Sequence, residues 1–339
     1  MATSYQLFVG IDIAAKTFTA TWTPNRPARE RTVTLSQSPD GYTALQQRLQ
    51  ATGVPPAQTL IVMEATGSYW VTLAVTLHTA GYVVSVINPA QIHKYGQSLP
   101  RRAKTDTLDA EVMAQYAAER QPSPWQPPPQ VYHELRQRLV ARDALVAMRT
   151  DAKCQRHALL QWPVVIGSVR DQFDALIRDL TERIEQLEAE ITALLQESAW
   201  SESAGLLLSI TGVGIITTGC LLVGTLNFTL CESPSAATAY VGLAPMVRQS
   251  GTSVRGRAQI GHGGHARLRT ALYMATLQAA RRNPIIKAFY DRLRAAGKPM
   301  KVARCAAARK LVHIAWAVVK KKTRFDPTNM REPPTCATN

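Results

Sequence analysis

Four carboxylates in the first third of the chain have the types and spacing for phosphoryl chemistry: Asp12, Glu64, Asp106 and Asp109. Asp12 interrupts an apolar run, Phe8-Val9-Gly10-Ile11-Asp12-Ile13, and Glu64 closes another, Leu60-Ile61-Val62-Met63-Glu64. Asp106 and Asp109 lie three apart in Thr-Asp-Thr-Leu-Asp-Ala. On a helix that spacing puts both on one face, with about 5–6 Å between Cβ atoms. Two like charges 4 Å apart repel by about 4 kcal/mol at an effective dielectric of about 20, so a gathered set of four needs a counter-ion. Hard oxygen donors favour Mg²⁺ or Mn²⁺. Two such ions at one site activate a nucleophile and stabilise a leaving oxygen at phosphorus. Taken singly, Asp106 reads equally well as a helix cap. The whole set, in matching elements, favours a metal site.

A second candidate is the loop from Arg248 to His265. Ser250, Thr252 and Ser253 stand there among Gly251, Gly256, Gly261, Gly263 and Gly264, flanked by Arg248, Arg255 and Arg257. Small residues let a loop approach a phosphate backbone. Arginines grip phosphate oxygens in pairs of hydrogen bonds. A serine there can attack phosphorus if something activates it. A plain polar loop has the same composition, and the residues alone leave the choice open. His262 and His265, without cysteine or acidic neighbours, read as phosphate or solvent contacts.

These side chains need elements to hold them. Through residue 125 the sequence alternates strand and helix signals. QLFVGIDIA, TFTATWT and RTVTLS read as three strands with short links, expected to form an antiparallel meander. A helical stretch near 41–50 follows, then the buried strand TLIVMEA, a helix over 69–79, the strand YVVSVIN, and a helix over 105–120 capped by Thr105 or Asp106. Strands joined through helices should be parallel. The order predicts a ribonuclease-H-like α/β domain, with strands one and four adjacent and the last helix crossing near them. No GxGxxG follows the first strand, which weakens a dinucleotide-binding reading.

Pro122, Pro124, Pro127, Pro128 and Pro129 mark the end of that domain. Beyond them Leu176, Leu180, Ile184, Leu187, Ile191 and Leu194 recur at steps of three and four, which predicts a coiled-coil-like helical hairpin. It either projects to self-associate or packs on its own domain. From Gly205 an apolar helix, a Gly212-Val213-Gly214 turn and a second apolar helix resemble a helix–hairpin–helix element; a buried helix pair looks the same. The remainder reads as helices over 266–281, 284–295 and 301–322. The segments are thus 1–125, 130–202 and 203–339.

Charge follows this division. Residues 205–339 carry 20 Lys+Arg against 4 Asp+Glu, a net +16 that exceeds the +15 of the whole chain of 339 residues. The excess points to a polyanion, nucleic acid above all. Arg101, Arg102 and Lys104 in a basic loop, with Arg267, Arg269 and Lys310 on the later helices, join the loop arginines as candidate contacts. No apolar run reaches 18 residues, which argues against a membrane span. The start lacks a secretory signal pattern. The five cysteines are scattered, which fits a reducing cytoplasm and no zinc site.

Taken together the motifs resemble one family, the DEDD transposases or recombinases of the IS-one-ten insertion sequences, including the Piv-type DNA invertases. The matching stretches are VGID, MEATGSYW, VSVINPAQ, KTDTLDAEVMA, SITGVGIITT, YVGLAP, SGTSVRG, LRTALYMA and GKPMKVARCAAARKLVHIAW. They run in the family's order along nearly the whole chain. The resemblance implies a RuvC-like DEDD catalytic domain, a coiled-coil hairpin, and a mainly α-helical C-terminal transposase domain carrying a serine nucleophile. That serine falls on Ser250, with Ser253 second. It further implies phosphoserine-linked DNA cleavage and rejoining with Mg²⁺ (or Mn²⁺) on Asp12, Glu64, Asp106 and Asp109. The implied partners are donor and target DNA, a structured noncoding bridge RNA, and further copies of the chain as a dimer or tetramer. Two positions depart from the pattern: Ala15 stands where many members carry lysine, with Lys16 next, and His262 stands in for a basic loop residue. Competing readings are a hydrolytic RuvC-like endonuclease that uses the carboxylates and water, a nucleic-acid-binding scaffold without catalysis, and a sugar-kinase-like ATPase. The last lacks its second phosphate loop.

Overall fold

A computed structural model describes residues 4–24, 31–99, 105–246, 249–250, 254–255, 259–261 and 263–328. The chain divides into two compact units, Met1–Pro127 and Pro128–Asn339.

The first unit is built on a five-stranded sheet. Its strands are β1 (Leu7–Ile13), β2 (Thr17–Pro24), β3 (Arg31–Ser36), β4 (Thr59–Glu64) and β5 (Val83–Ile87), in the order β3-β2-β1-β4-β5. The first three pair antiparallel, and β1–β4 and β4–β5 pair parallel, as the element order predicted. Alternation sorts the side chains onto two faces. Val9, Ile11, Phe18, Ala20, Ile61, Met63 and Val84 meet α1 (Pro39–Gln50) and α2 (Trp70–Thr79) on one face. Phe8, Leu60, Val62 and Ile87 meet α3 (Pro89–Ser98) and α4 (Asp106–Arg120) on the other. The proline segment lines the free edge of β5: Trp125 N–H donates to Val84 O at 2.7 Å, and the buried Ser85 hydroxyl donates to Pro122 O at 3.1 Å. A backbone laid along an open edge shields it from foreign strands.

One close approach matters for the site. Gly10 on β1 faces α4, and a Cβ there would lie 2.0 Å from Ala110 O and 2.3 Å from Ala114 N. Helix and strand therefore touch backbone to backbone, which only glycine permits. The helix α3 was not anticipated. The reading above passes from the strand YVVSVIN to the helix over 105–120, but Asn88, at the end of that strand, caps a helix by accepting from Ala90 N–H, with Pro89 in the first turn.

The second unit opens with the long pair α5 (Gln130–Leu159) and α6 (Gly167–Glu197). Ion pairs Arg138–Glu190 (2.8 Å), Arg142–Glu188 (2.7 Å) and Arg156–Asp174 set them antiparallel. Leu180, Ile184 and Ile191 are buried along the predicted seam, but Leu176 is 45% exposed. At the other end the hairpin enters a common core with the later helices. Val131, Leu135, Leu139, Ile191 and Leu195 join residues of α7 (Ser201–Leu208), α8 (Ile215–Thr225), α9 (Pro234–Val241), α10 (Ala266–Arg282) and α12 (Met300–Lys321) there. A further helix, α11 (Pro284–Ala295), buries Ile286 in the same core. Between α9 and α10 lie four two-residue strands: β6 (Pro245–Met246), β7 (Gln249–Ser250), β8 (Val254–Arg255) and β9 (Gln259–Ile260).

Candidate active site

The four carboxylates gather at one end of the sheet in the first unit. Asp12 lies near the end of β1, on the face covered by α4, because it sits two residues beyond Gly10. Glu64 is the last residue of β4, one step beyond the pair Ile11–Met63 in a parallel register, so it ends beside Asp12. Asp106 and Asp109 occupy the first turn of α4. Thr105 is the cap, its hydroxyl accepting from Leu108 N–H at 3.3 Å. Asp106 is therefore released from the capping role that its sequence position allowed.

Electrostatics reports the convergence. The Asp12 carboxyl is pushed up from 3.8 to about 6, first by burial and then by the negative charges of Asp109, Asp106 and Glu64. The Ile13 backbone N–H opposes the rise. Perturbation by burial plus like charge is the mark of a site that stores electrostatic strain. Thr66 was missed by the sequence reading. Its hydroxyl donates to Glu64 Oε1 at 2.5 Å and fixes one oxygen of that carboxylate. The only sequence signal for it is a hydroxyl two residues after a strand-ending glutamate.

The donor chemistry, four carboxylates and no soft ligand, fits a hard divalent cation. Among the described residues no three Asp, Glu, His or Cys side chains stand close enough together to hold a metal ion.

In the second unit the serine loop leaves α9 at Gly242 and returns to α10 at Gly263 and Gly264. Ser250 ends β7, whose backbone pairs antiparallel with β8, Gln249 with Arg255 and Ser250 with Val254. Arg101, Arg102, Lys104, Arg248, Arg257, Ser253 and His262 lie outside the described residues. Arg267 is ion-paired with Asp143 at 2.8 Å. Arg269 donates to Gly263 O at 2.8 Å, closing the neck of the loop. Lys310 lies 4.8 Å from the centre of the Phe289 ring. These three candidate contacts thus carry structural duties as well. No helix among the described residues is long and apolar enough to cross a membrane.

An acidic sheet end in one unit and a basic second unit with a serine-bearing loop define the equipment of an enzyme acting on phosphodiesters. Comparison with known proteins makes this specific. Residues 9–162 match the DEDD transposase family of IS110, and residues 204–291 match the family described as Transposase IS116/IS110/IS902. The pilin gene-inverting protein of Moraxella bovis is 32% identical over 321 residues, 94% of this chain and 97% of that one. Its Moraxella lacunata counterpart matches to the same extent. The insertion element IS110 uncharacterized 43.6 kDa protein of Streptomyces coelicolor is 32% identical over 145 residues, 43% of this chain and 35% of that one. The chain belongs to the IS110 family of transposases and recombinases.

Proposed function

We propose that this transposase is an RNA-guided DNA recombinase that cuts and rejoins strands through a phosphoserine on Ser250. The observation that carries the reading is the gathering of Asp12, Glu64, Asp106 and Asp109 at the end of a sheet ordered β3-β2-β1-β4-β5. That order, three antiparallel strands continued by parallel ones, supports the ribonuclease-H-like and RuvC-like reading of the domain. The three segments, 1–125, 130–202 and 203–339, then serve as catalytic domain, self-associating coiled-coil hairpin and transposase domain. The chain works in the cytoplasm as a dimer or tetramer.

Asp12, Glu64, Asp106 and Asp109 would hold Mg²⁺. When bound, the cation supplies charge neutralisation and polarisation at the scissile phosphate. The protein's own steps are simple to balance. The Ser250 Oγ–P bond forms as one P–O bond to the sugar breaks, and the serine proton passes to the departing sugar oxygen. The new phosphoserine diester keeps the energy of the old linkage. Attack by another DNA hydroxyl therefore rejoins strands without ATP and returns the proton to Ser250. A bridge RNA would choose the donor and target DNA by base pairing, leaving the protein to read backbone and shape.

The test is a denaturing gel of labelled donor and target DNA incubated with protein, guide RNA and Mg²⁺. DNA migrating with the protein, lost with Ser250→Ala and lost without RNA, is the expected result. Cleaved DNA with no protein attached would instead favour the hydrolytic RuvC-like endonuclease, and RNA-independent adducts would remove the guide.

A further inference from the structure

The two connections that leave the acidic end of the sheet are tied together by a residue that no step above uses. β1 and β3 each pair antiparallel with β2, so they run the same way, and Gln37, just past β3, emerges at the sheet end that carries Asp12 and Glu64. Its backbone N–H donates to Lys16 O at 2.9 Å, in the β1–β2 turn that follows Asp12. Its side-chain Nε2 donates to Tyr69 O at 3.2 Å, at the far end of the loop that follows Glu64. The amide is itself held, because Tyr42 on α1 donates its hydroxyl to Gln37 Oε1 at 2.9 Å. With its oxygen occupied there, the amide turns its NH₂ toward Tyr69 O. Tyr42 is a firm anchor: it is buried in the core on the α1 and α2 face, its ring centre 6.0 Å from that of Phe18. Gly41 brings the helix to this place. A Cβ on it would lie 2.0 Å from Ser36 O, so the first turn of α1 sits directly against the end of β3.

The start of the Glu64 loop is fixed by other bonds. Ala65 N–H donates to Ile87 O at 3.0 Å, and Thr66 bonds Glu64 twice, by its N–H to the backbone oxygen at 2.9 Å and by its hydroxyl to the carboxylate. Gly67 then takes φ +60°, in the left-handed region that glycine enters freely, and turns the chain toward α2. The Gln37 bond secures the loop beyond that turn and joins it to the Asp12 side of the sheet end. The carboxylates themselves are not drawn up tightly, since among the described residues no three stand close enough to hold a metal ion. Filling such a site costs ordering of the strand ends, and a bond that ties those ends beforehand lowers the cost.

We infer that Gln37 is a positioning residue for the acidic site: its bonds to Lys16 and Tyr69, with Tyr42 behind the amide, hold the connections after β1 and β4 together so that Asp12 and Glu64 close on a divalent cation. The cation rests on the function proposed above; the clasp itself rests on the bonds just given. Gln37 acts through the two connections and takes no part in the chemistry.

The test has two arms on the full-length protein without DNA. In the first, Mg²⁺ and Mn²⁺ binding is measured by calorimetry. Gln37→Leu removes both side-chain bonds and leaves the backbone bond to Lys16. A direct partner of a metal ligand is worth about 10–100-fold in affinity; Gln37 stands one step further back, so the loss should be about 3–10-fold. Tyr42→Phe should cost about 2–3-fold. Added to Gln37→Leu it should cost nothing more, because the phenol acts on the site through that amide. Thr59→Val, which removes a hydroxyl bond to Pro55 O at the opposite end of β4, should bind the cation as the parent does. In the second arm, hydrogen exchange is followed with no cation present. The Ala65, Thr66 and Val71 amides should exchange about 3–10-fold faster in Gln37→Leu, while the Ala14 amide of the β1–β2 turn stays as it was. Cation binding unchanged in Gln37→Leu, equal weakening in Thr59→Val, or exchange that quickens everywhere or not at all at residues 65–71 overturns the clasp. Should Gln37→Leu fail to fold, Tyr42→Phe decides the same points. Failure of the parent protein to bind either cation overturns the metal reading, and the exchange arm then judges the clasp by itself.

Discussion

Replacing Asp12 by asparagine should make the first unit more stable, although it removes one of the four carboxylates proposed to hold the cation. The wild-type carboxyl is raised from 3.8 to about 6 by burial and by Asp109, Asp106 and Glu64. That rise corresponds to about 3 kcal/mol if none of it is screened. Asp12 is only half-buried, so solvent screening reduces the figure to roughly 1–2 kcal/mol. The sign follows from proton binding. Between pH 3.8 and about 6 the folded state holds a proton that the unfolded chain has lost, so stability falls as pH rises across that window. Above it the full penalty is present. Asp12→Asn keeps the side-chain shape without the charge, so its advantage should be small at pH 4 and reach roughly 1–2 kcal/mol at pH 7.5. Urea denaturation of both proteins at several pH values, without divalent cations, reads this directly. Adding Mg²⁺ at pH 7.5 should raise wild-type stability and shrink the gap. A variant less stable than wild type at pH 7.5, or a gap that does not widen between pH 4 and 7, would refute the claim that four carboxylates press on one another here.

Two more outcomes follow from the same geometry. Gly10→Ala places a methyl group against the Ala110 and Ala114 backbone, where neither neighbour can yield; α4 should lift from β1, at about 1–3 kcal/mol or more by thermal melting. Metal-dependent DNA cleavage should fall about 100-fold as Asp106 and Asp109 move from Asp12. His265 is held below its ordinary value of 6.5, by burial first and then by Arg267 and Arg136, although its own backbone bond opposes this. In the window just below 6.5 the unfolded chain therefore binds more protons than the folded one, and stability should drop as pH falls through it. Protonation also ends the Nδ1 cap on α10. His265→Asn, which caps without titrating, should lack this slope; a wild-type stability equal at pH 7.5 and 5.5, relative to the variant, would overturn the assignment.

The sheet was legible because its strands announce themselves twice, by alternation and by the apolar runs around Asp12 and Glu64. Connection lengths separated the antiparallel strands from the parallel ones, and the strand order came from reading the element order as a ribonuclease-H-like sheet. What escaped was decided by single side chains. Asn88 can stop a strand or cap a helix, and only the bond to Ala90 N–H, absent from any periodicity, chooses the cap. Thr105 and Asp106 are both good caps, and the hydroxyl bond to Leu108 N–H selects the first. The seam of α6 was legible in its buried middle, at Leu180, Ile184 and Ile191, but spacing alone does not say how deeply each position is covered, as the exposed Leu176 shows. Of the site, the carboxylates were readable as a set because each lies in an ordered element. The serine loop was not readable from its residues, because glycine and serine carry no periodic signal, and it needed the family resemblance.

Charge counting has a different limit. The +16 of residues 205–339 creates a field that attracts phosphates at a distance, whatever local bonds the side chains make. Close contacts are another matter. Arg267 holds Asp143, Lys287 holds Asp291, Lys322 holds Glu202, and Arg269 and Arg294 donate to Gly263 and Lys298 backbone oxygens. The second unit thus attracts phosphates with a charge of which part is already engaged in its own bonds. The first unit does the reverse, since its four carboxylates repel a phosphate until something neutralises them. On the proposed reading, binding and cleavage are therefore governed separately. Strands are captured by a field that needs no cation. Chemistry waits until the charge at Asp12 is cancelled, so a captured strand is not cut before the acidic site is filled.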